Sequence, residues 1–296
     1  MSLEDKLISW TGPSSQTEQE KQDRTERMIR QAIENHEPFE NCSLKVYAKG
    51  SYANNTNVRS DSDVDVAVQC TDVTYWEEAK PGTHPTTTSP YAGIWTPAKL
   101  RSELGIALRK KFPGQVDSTG STAFRVNSGS ARVDADVVPC FDYKYYLSRE
   151  NYRPGSKVFK KDGRSIVNYP AQQLTEGRTK NGNTSSFYKQ AVRILKRTEN
   201  AMVLANSHRE VPSFFVECLT YNCPDSLFMG NTWSDTIRSL LLHMWETLQG
   251  NDEPTVSANR WVEVSRCKYL FHKDQAWSRA DGRDFAKAAW NYLGYS

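Results

Sequence analysis

The sequence Gly50-Ser51, followed after eleven residues by Asp63-Val64-Asp65-Val66, carries the pattern that decides the fold. Aspartates alternate with valines in its second part, and alternate side chains of a β-strand point to opposite faces. The two carboxylates are therefore predicted to share one face while the valines enter a core. A second alternating run, from Ala131 to Val138, predicts another strand with acids on one face, Asp134 and Asp136.

Acids on two neighbouring strands favour chemistry that depends on hard divalent cations. In-line displacement at a phosphoryl group uses two cations about 3.5–4 Å apart, which clamp the attacking and leaving oxygens. Such cations prefer carboxylate oxygens, whereas the absence of adjacent His or Cys argues against zinc at these acids. We expect Asp63, Asp65 and an acid of the second strand to hold two Mg²⁺ ions, with Mn²⁺ as an alternative.

The Gly50-Ser51 pair is a candidate phosphate contact. Glycine lets the backbone approach a phosphate closely, and the serine adds a hydroxyl donor where residues 51–56 could open a short helix. The alternative is that Gly50-Ser51 forms an ordinary turn and that Asp61, Asp63 and Asp65 lie on a solvated edge. The combination of this pair with acids on two strands favours the functional interpretation.

These motifs resemble those of the DNA polymerase β-like nucleotidyltransferase superfamily, and most closely the bacterial cGAS/DncV-like nucleotidyltransferases. The resemblance includes the run Asp136-Val137-Val138-Pro139-Cys140-Phe141-Asp142, which is similar to the strand that bears the third acid in that group. It extends to residues 192–197, 212–217 and 277–293, and thus to nearly the whole chain. The resemblance implies that Asp136, rather than Asp134, is the third metal ligand.

The resemblance also implies the fold, a two-lobed α+β nucleotidyltransferase with a mixed sheet that carries the acids and a helical lobe behind it. Residues 1–165 are expected to form the catalytic core and residues 166–296 the helical lobe. The charged pattern of Gln16 to His36 predicts a long helix, either the spine helix of the resembling family or a merely solvated helix.

Three residues of the helical lobe become site candidates by resemblance. Lys196 and Ser213 match a lysine and a serine that contact the triphosphate in resembling enzymes, and Phe214 stands where relatives often carry a tyrosine that stacks on a base. The alternatives are a solvated basic face, formed by Lys189, Arg193, Lys196 and Arg197, and an ordinary core position for Phe214.

The activity implied by the resemblance is metal-dependent condensation of ribonucleoside triphosphates, ATP among them, into a cyclic di- or trinucleotide. Such messengers serve bacterial anti-phage signalling by activating a separate effector. A synthase of linear oligonucleotides, or a transferase that adds nucleotides to RNA or protein, would need the same three acids. A noncatalytic scaffold of this fold would be expected to have lost at least one of them.

Composition restricts the remaining possibilities. The formal charge of the 296 residues is +3, which gives little support to a general nucleic-acid-binding module, although residues 151–200 hold eleven Lys or Arg against three acids and could lie against a polyphosphate. Six cysteines without Cys-x-x-Cys spacing indicate reduced, buried thiols. The sequence suggests neither a signal peptide nor a membrane helix, so we expect a cytoplasmic protein. We also expect a monomer.

Periodicity predicts the remaining elements. Strands are expected at 44–48 and 63–69, followed by an insertion over 71–96 that is either a lid near the nucleotides or a packed loop. Thr96-Pro97 should begin a helix with an apolar face at Leu100, Leu104, Ala107 and Leu108. Hairpins are expected from 123–126 to 131–141 and around 161–164. Helices should cover 185–202, 233–249 and the closing segment.

Overall fold

The computed structural model describes residues 1–13, 15–58, 63–85 and 91–296. The helices in this part of the chain are α1 (Leu3–Ser9), α2 (Gln16–Glu34), α3 (Gly50–Ala53), α4 (Pro97–Lys111), α5 (Pro170–Asn183), α6 (Phe187–Leu204), α7 (Ser213–Asn222), α8 (Trp233–Thr247) and α9 (Arg279–Leu293). The strands are β1 (Leu44–Lys49), β2 (Val64–Glu78), β3 (Val116–Asp117), β4 (Phe124–Val126), β5 (Ala135–Tyr146), β6 (Tyr152–Phe159) and β7 (Ser165–Asn168). The predicted α+β class is confirmed.

The chain forms two compact units. Among the described residues, the sheet unit comprises 15–53, 63–85 and 91–170, and the helical unit comprises 1–13, 54–58 and 171–296. This partition differs from the predicted division between residues 165 and 166. The sheet unit continues to residue 170 because β7 pairs with β6, and two short segments near the start of the chain belong to the helical unit.

The sheet unit is built on seven strands. Their order is β1-β2-β5-β4-β3, and β6 adds to β5 and in turn pairs with β7. The two central strands, β2 and β5, run parallel, with Asp65 opposite Asp136. Their alternate residues Val64, Val66, Ala135 and Val137 are fully buried. Burial of these side chains fixes the register, because a slip of one residue would expose them and bury the acids.

Strand β2 is longer than predicted. The sequence placed its end at Gln69 and began a loop at Thr71, but the strand continues to Glu78 through an irregularity between Cys70 and Thr74. A bulge of this kind interrupts the alternation from which the strand was predicted. The remainder of the predicted insertion is described except for residues 86–90, which lie outside the described residues.

The two long helices of the sheet unit, α2 and α4, both begin where the sequence predicts. Ser15 caps α2 in a capping box with Glu18, and Thr96 caps α4 with Pro97 in its first turn. A cap of this type stabilises a helix by about 1 kcal/mol. The apolar face predicted for α4 is buried, and so are Ile29, Ala32 and Ile33 of α2. The α2 helix is therefore amphipathic rather than merely solvated.

The predicted hairpins are present as well. Strand β4 pairs antiparallel with β5, although β5 begins at Ala135 and not at Ala131. Strands β6 and β7 pair antiparallel around the turn that contains Gly163.

The helical unit has its own apolar core. Helices α6 to α9 contribute buried side chains at helical spacing, such as Ile194, Leu195, Phe215, Leu240 and Phe285. The helices predicted at 185–202 and 233–249 are confirmed within two residues at each end, and the predicted closing helix is present as α9. Among the described residues, none of the helices combines the length and the apolar character needed to span a bilayer.

Candidate active site

The three predicted metal ligands lie at the start of the two central strands. Asp65 on β2 and Asp136 on β5 are directly opposite each other in the parallel register, and Asp63 immediately precedes β2. All three side chains are partly exposed, while the valines between and beside them are buried. The alternation predicted from the sequence thus places the carboxylates on the accessible face of the sheet.

Burial and mutual repulsion both act on Asp136. The pKa of this carboxyl is raised, first because burial disfavours its charged form and then because Asp65 and Asp63 are negatively charged neighbours. The positive charges of Arg125 and Lys49 reduce the pKa shift without cancelling it. The cluster therefore has an excess of negative charge, which a bound cation would relieve.

Two cations of the sheet unit form ion pairs with the carboxylates. Arg125 on β4 contacts Asp63, with Nη1 3.2 Å from Oδ2, and Lys49 on β1 lies 3.1 Å from Oδ1 of Asp65. Among the described side chains, the oxygen atoms of these three carboxylates do not all lie within 4.8 Å of one another. Asp63 and Asp65 are thus paired with cations of the protein rather than gathered with Asp136 around a single point.

Asp134 has a different environment from Asp136 two residues later. Its carboxylate accepts a hydrogen bond of 2.6 Å from Arg125 and another from the backbone N–H of Ser128. Burial alone would raise the pKa of Asp134, but these hydrogen bonds hold it below the ordinary value. Asp134 therefore closes the turn between β4 and β5, as expected for an acid that is not the third ligand.

Gly50 is the first residue of α3 and has a φ of +70°. L side chains rarely adopt this conformation. In addition, a Cβ atom on residue 50 would overlap the carboxylate of Asp65. The glycine is thus required by both its backbone and its neighbour, and it brings the backbone of the Gly50-Ser51 turn against the candidate metal ligand. Ser51 is partly exposed within the same short helix.

The donor set fits magnesium. The residues gathered here offer carboxylate oxygens and the serine hydroxyl, which are hard ligands, and the excess negative charge on Asp136, Asp65 and Asp63 is what a divalent cation would neutralise. Nucleotidyltransferases are in general metal-dependent enzymes, and these residues are the ones that would hold the metal in this chain.

Lys196 occupies a buried position on α6 in the helical unit. Its ammonium is 2.8 Å from Oε2 of Glu217 and 3.3 Å from Oγ1 of Thr56, and its side chain is only 2% exposed. Glu217 also accepts hydrogen bonds from Asn54 (2.5 Å) and Thr56 (2.7 Å). Lys196 therefore forms an ion pair inside the protein. Its contact with a triphosphate stays a prediction.

Ser213 and Phe214 begin α7 in the same unit. Ser213 is exposed, whereas Phe214 is half-buried and lies edge-on to Trp277, with ring centroids 6.3 Å apart. Phe215, the next residue, is fully buried and stacks on the same indole. The serine is accessible to a ligand, and base stacking by Phe214 stays a prediction.

The basic stripe of α6 is not the solvated face that its charges suggested. Arg193 donates hydrogen bonds to the carbonyl oxygens of Thr11 (2.6 Å) and Asn55 (2.7 Å), and Arg197 donates to those of Trp10 and Gly12. The stripe therefore holds the segments 10–12 and 54–58 within the helical unit. No periodicity rule signals this, since the acceptors are backbone oxygens.

Sequence reasoning missed Lys49 and Arg125, the two cations of the carboxylate cluster. Lys49 could have been found, because it precedes Gly50 at the end of a predicted strand. Arg125 could have been found from the β4–β5 hairpin, in whose register it is opposite Asp136.

Comparisons with known proteins identify the family of the chain. A family model described as the cGAS/DncV-like nucleotidyltransferase C-terminal helical domain matches residues 175–294. The chain is 32% identical over 290 residues to a cyclic dipyrimidine nucleotide synthase of Legionella pneumophila, covering 96% of this chain and 95% of that one. It is 31% identical over 300 residues to a cyclic dipurine nucleotide synthase of Elizabethkingia meningoseptica, covering 99% and 98%.

A solved structure extends this likeness to the fold. The cyclic UMP-AMP synthase of Rhodothermus marinus superposes with a TM-score of 0.82 at 27% identity, and the match covers 99% of this chain and 98% of that chain. That structure holds the nucleotide analogues Apcpp and Upnpp. The resemblance inferred from the motifs is thus confirmed, and the chain belongs to the cGAS/DncV-like nucleotidyltransferase family of enzymes.

Proposed function

We propose that this enzyme condenses ribonucleoside triphosphates into a cyclic di- or trinucleotide, with release of pyrophosphate. The observation that carries the proposal is the pairing of Asp65 with Asp136 across two parallel strands, with Asp63 adjacent. This pairing supplies the acids needed for phosphoryl transfer at one place on the accessible face of the sheet.

In the proposed reaction Asp63, Asp65 and Asp136 would hold two Mg²⁺ ions, or Mn²⁺ in their place. When bound, these ions neutralise the charge that develops on the attacking oxygen, the α-phosphate and the leaving pyrophosphate. Asp136 accepts the proton of the attacking ribose hydroxyl. A bond then forms between this oxygen and the α-phosphorus, and the bond to the bridging oxygen of the pyrophosphate breaks.

Gly50 and Ser51 are proposed to contact the triphosphate of the donor nucleotide. The glycine brings backbone N–H groups close to the phosphates, and the serine hydroxyl donates a further hydrogen bond. In the helical unit, the exposed hydroxyl of Ser213 is proposed as another phosphate contact and the half-buried ring of Phe214 as a base contact. A contact by Lys196 would require its ion pair with Glu217 to open.

The cyclic product is proposed from the relatives, all of which are named as cyclic nucleotide synthases. Their names differ in the bases, and a dipyrimidine and a dipurine synthase are almost equally similar to this chain. Overall similarity therefore does not select the bases, although ATP is proposed among the substrates. We propose a cytoplasmic monomer whose product activates a separate effector in anti-phage defence.

The test is incubation of the protein with all four ribonucleoside triphosphates and Mg²⁺, followed by phosphatase treatment and mass spectrometry. A phosphatase-resistant product with the mass of a cyclic di- or trinucleotide is expected. Omission of one triphosphate at a time then identifies the bases. A linear or macromolecular product would refute cyclisation while leaving nucleotidyl transfer intact.

A further inference from the structure

Two cysteines and an aspartate come together at the far end of the β1–β2 pair. The sulfur atoms of Cys42 and Cys70 are 3.7 Å apart, and the carboxylate of Asp72 is part of the same group. Cys70 is fully buried and Cys42 nearly so, whereas Asp72 is exposed. Among the described residues, these three side chains form a group that could hold a metal ion, because their two sulfur atoms and a carboxylate oxygen all lie within 4.8 Å of one another.

The spacing of the sulfurs matches a tetrahedral metal site. Zinc binds thiolate sulfur at about 2.3 Å, so two sulfurs at the corners of one tetrahedron are about 3.8 Å apart. A carboxylate oxygen can supply a third corner, and the exposed side of Asp72 leaves the fourth corner accessible to water. Zinc and cadmium prefer thiolates, whereas magnesium does not.

The bulge in β2 shapes the environment of Cys70. The backbone N–H groups of Asp72 and Val73 donate hydrogen bonds to its sulfur. These two residues lie where the strand register shifts. N–H groups that point at a sulfur favour its thiolate form, which is the form that binds metals.

Asp72 is also held in place. One of its carboxylate oxygens accepts a hydrogen bond of 3.1 Å from the backbone N–H of Ser43. Hydrogen bonds to a ligand from a surrounding group are a usual feature of metal sites, because they orient the ligand before binding.

We propose that Cys42, Cys70 and Asp72 form a binding site for a thiolate-preferring divalent cation such as Zn²⁺. The site is separate from the phosphoryl-transfer residues, because Cys70 is five residues beyond Asp65 along β2, which corresponds to about 17 Å. Its occupancy would fasten the residues before β1 to the bulge of β2. The proposal does not depend on which nucleotide product the enzyme makes.

The test uses the full chain, reduced, treated with EDTA and then titrated with Cd²⁺ in excess Mg²⁺, so that the carboxylate cluster is occupied. We expect one Cd²⁺ per chain and an ultraviolet band from charge transfer between sulfur and cadmium. Addition of Zn²⁺ should remove the band by displacement.

Single substitutions then assign the ligands. Cys42→Ser and Cys70→Ser should each lose about half of the band, whereas Cys267→Ser, a cysteine outside the group, should retain all of it. Asp72→Asn should keep the band but weaken Cd²⁺ binding at least about tenfold. Loss of a residue that only hydrogen-bonds to a metal ligand already lowers metal affinity about tenfold or more, and loss of a ligand should lower it at least as much. Because Asp72 is exposed, this variant is expected to fold, which circular dichroism would verify.

Two outcomes would overturn the proposal. One is the absence of a band from the wild-type protein at saturating Cd²⁺, which would leave the two cysteines as an ordinary buried thiol pair. The other is a band that keeps its full wild-type intensity in both Cys42→Ser and Cys70→Ser, which would place the bound cadmium elsewhere.

Discussion

The carboxylate cluster of the sheet unit and the buried ion pair of the helical unit differ in how far their negative charges are compensated by neighbouring groups. In the sheet unit, three partly exposed aspartates repel one another, and the pKa of Asp136 is raised. In the helical unit, Glu217 is 1% exposed, and its pKa is lowered. Burial alone would raise the pKa of Glu217, but the charge of Lys196 and three hydrogen bonds outweigh it.

This difference separates a site that needs a ligand from one that is complete. The carboxylates carry charge that the protein does not fully compensate, which is usual at functional sites. Glu217 has partners for its buried charge in Lys196, Thr56 and Asn54. We therefore expect substitutions in the first region to change turnover and substitutions in the second to change stability.

The largest expected effect is loss of turnover in the double variant Asp63→Asn with Asp65→Asn. Removal of two metal ligands should lower kcat at least about 10³-fold, because bound metal contributes several kcal/mol to phosphoryl transfer. The fold should be retained, since the substitutions remove charge and not core volume. The measurement is pyrophosphate release, with circular dichroism as the check on folding.

Asp134→Asn is the matched control for this double variant. Asp134 is bound by Arg125 and Ser128 and is not assigned to the metal, so the variant should keep turnover within about tenfold of the wild-type enzyme. Full activity in the double variant, or equal inactivity of Asp134→Asn and Asp136→Asn, would contradict the assignment of the ligands.

The next largest effect concerns the buried pair. Lys196→Met should lower the free energy of unfolding by about 3–5 kcal/mol, because it leaves the carboxylate of Glu217 buried without its counter-charge. Urea denaturation measures this loss. Combining Lys196→Met with Glu217→Gln should recover part of it, since the remaining side chain is neutral.

Lys196→Met also tests the predicted triphosphate contact. If Lys196 has only a structural role, KM for the nucleotides should be unchanged at a temperature where the variant is folded. A large increase in KM with unchanged stability would instead show that the lysine serves the nucleotide, and the contrast between the two regions would fail.

A smaller effect is expected from Gly50→Ala, with Gly163→Ala as its control. Both glycines have positive φ, +70° and +84°, so each substitution should cost about 1–3 kcal/mol of stability. A Cβ atom at residue 163 meets no other atom within 4 Å, whereas one at residue 50 meets the Asp65 carboxylate. We expect thermal melts to shift similarly, while pyrophosphate release falls at least tenfold in Gly50→Ala alone.

The smallest effect is the pH dependence of stability without divalent cations. Because the pKa of Asp136 is raised in the folded protein, the native state binds the proton more readily than the unfolded state. This carboxyl therefore opposes folding fully above its folded pKa, and the penalty declines as the pH falls from that value to the lower pKa of the unfolded state. Asp65→Asn should lower the pKa of Asp136, as measured by NMR of its carboxyl carbon, and stabilise the metal-free protein by about 1 kcal/mol at neutral pH.

If the pKa of Asp136 were the same in Asp65→Asn as in the wild-type protein, the two carboxylates would not interact. The description of the cluster as mutually repelling charges would then be wrong.

The elements that bear the acids were predictable because their periodicity is local. Valines alternate with aspartates around the start of β2 and β5, and successive side chains of a strand point to opposite faces. The alternation alone therefore predicted that Asp63, Asp65 and Asp136 lie on the face opposite the valines. Helix α4 was predictable from Thr96 and Pro97 for the same reason, since a cap depends on neighbours within one turn.

Other features depended on residues far apart in the chain. The continuation of β2 through its bulge relies on pairing with β5, and the burial of Lys196 relies on Glu217 and on residues 54–58, which the chain places between two strands of the sheet. No local pattern distinguishes a lysine that faces solvent from one that meets a buried carboxylate.

The sequence by itself determined the chemistry of this protein, because the type and alternation of its acidic residues define a face that attracts hard cations. Only the tertiary structure decided which charges are compensated. Compensation depends on distances between side chains that long-range packing brings together, as with Arg125 at Asp63 and Lys49 at Asp65.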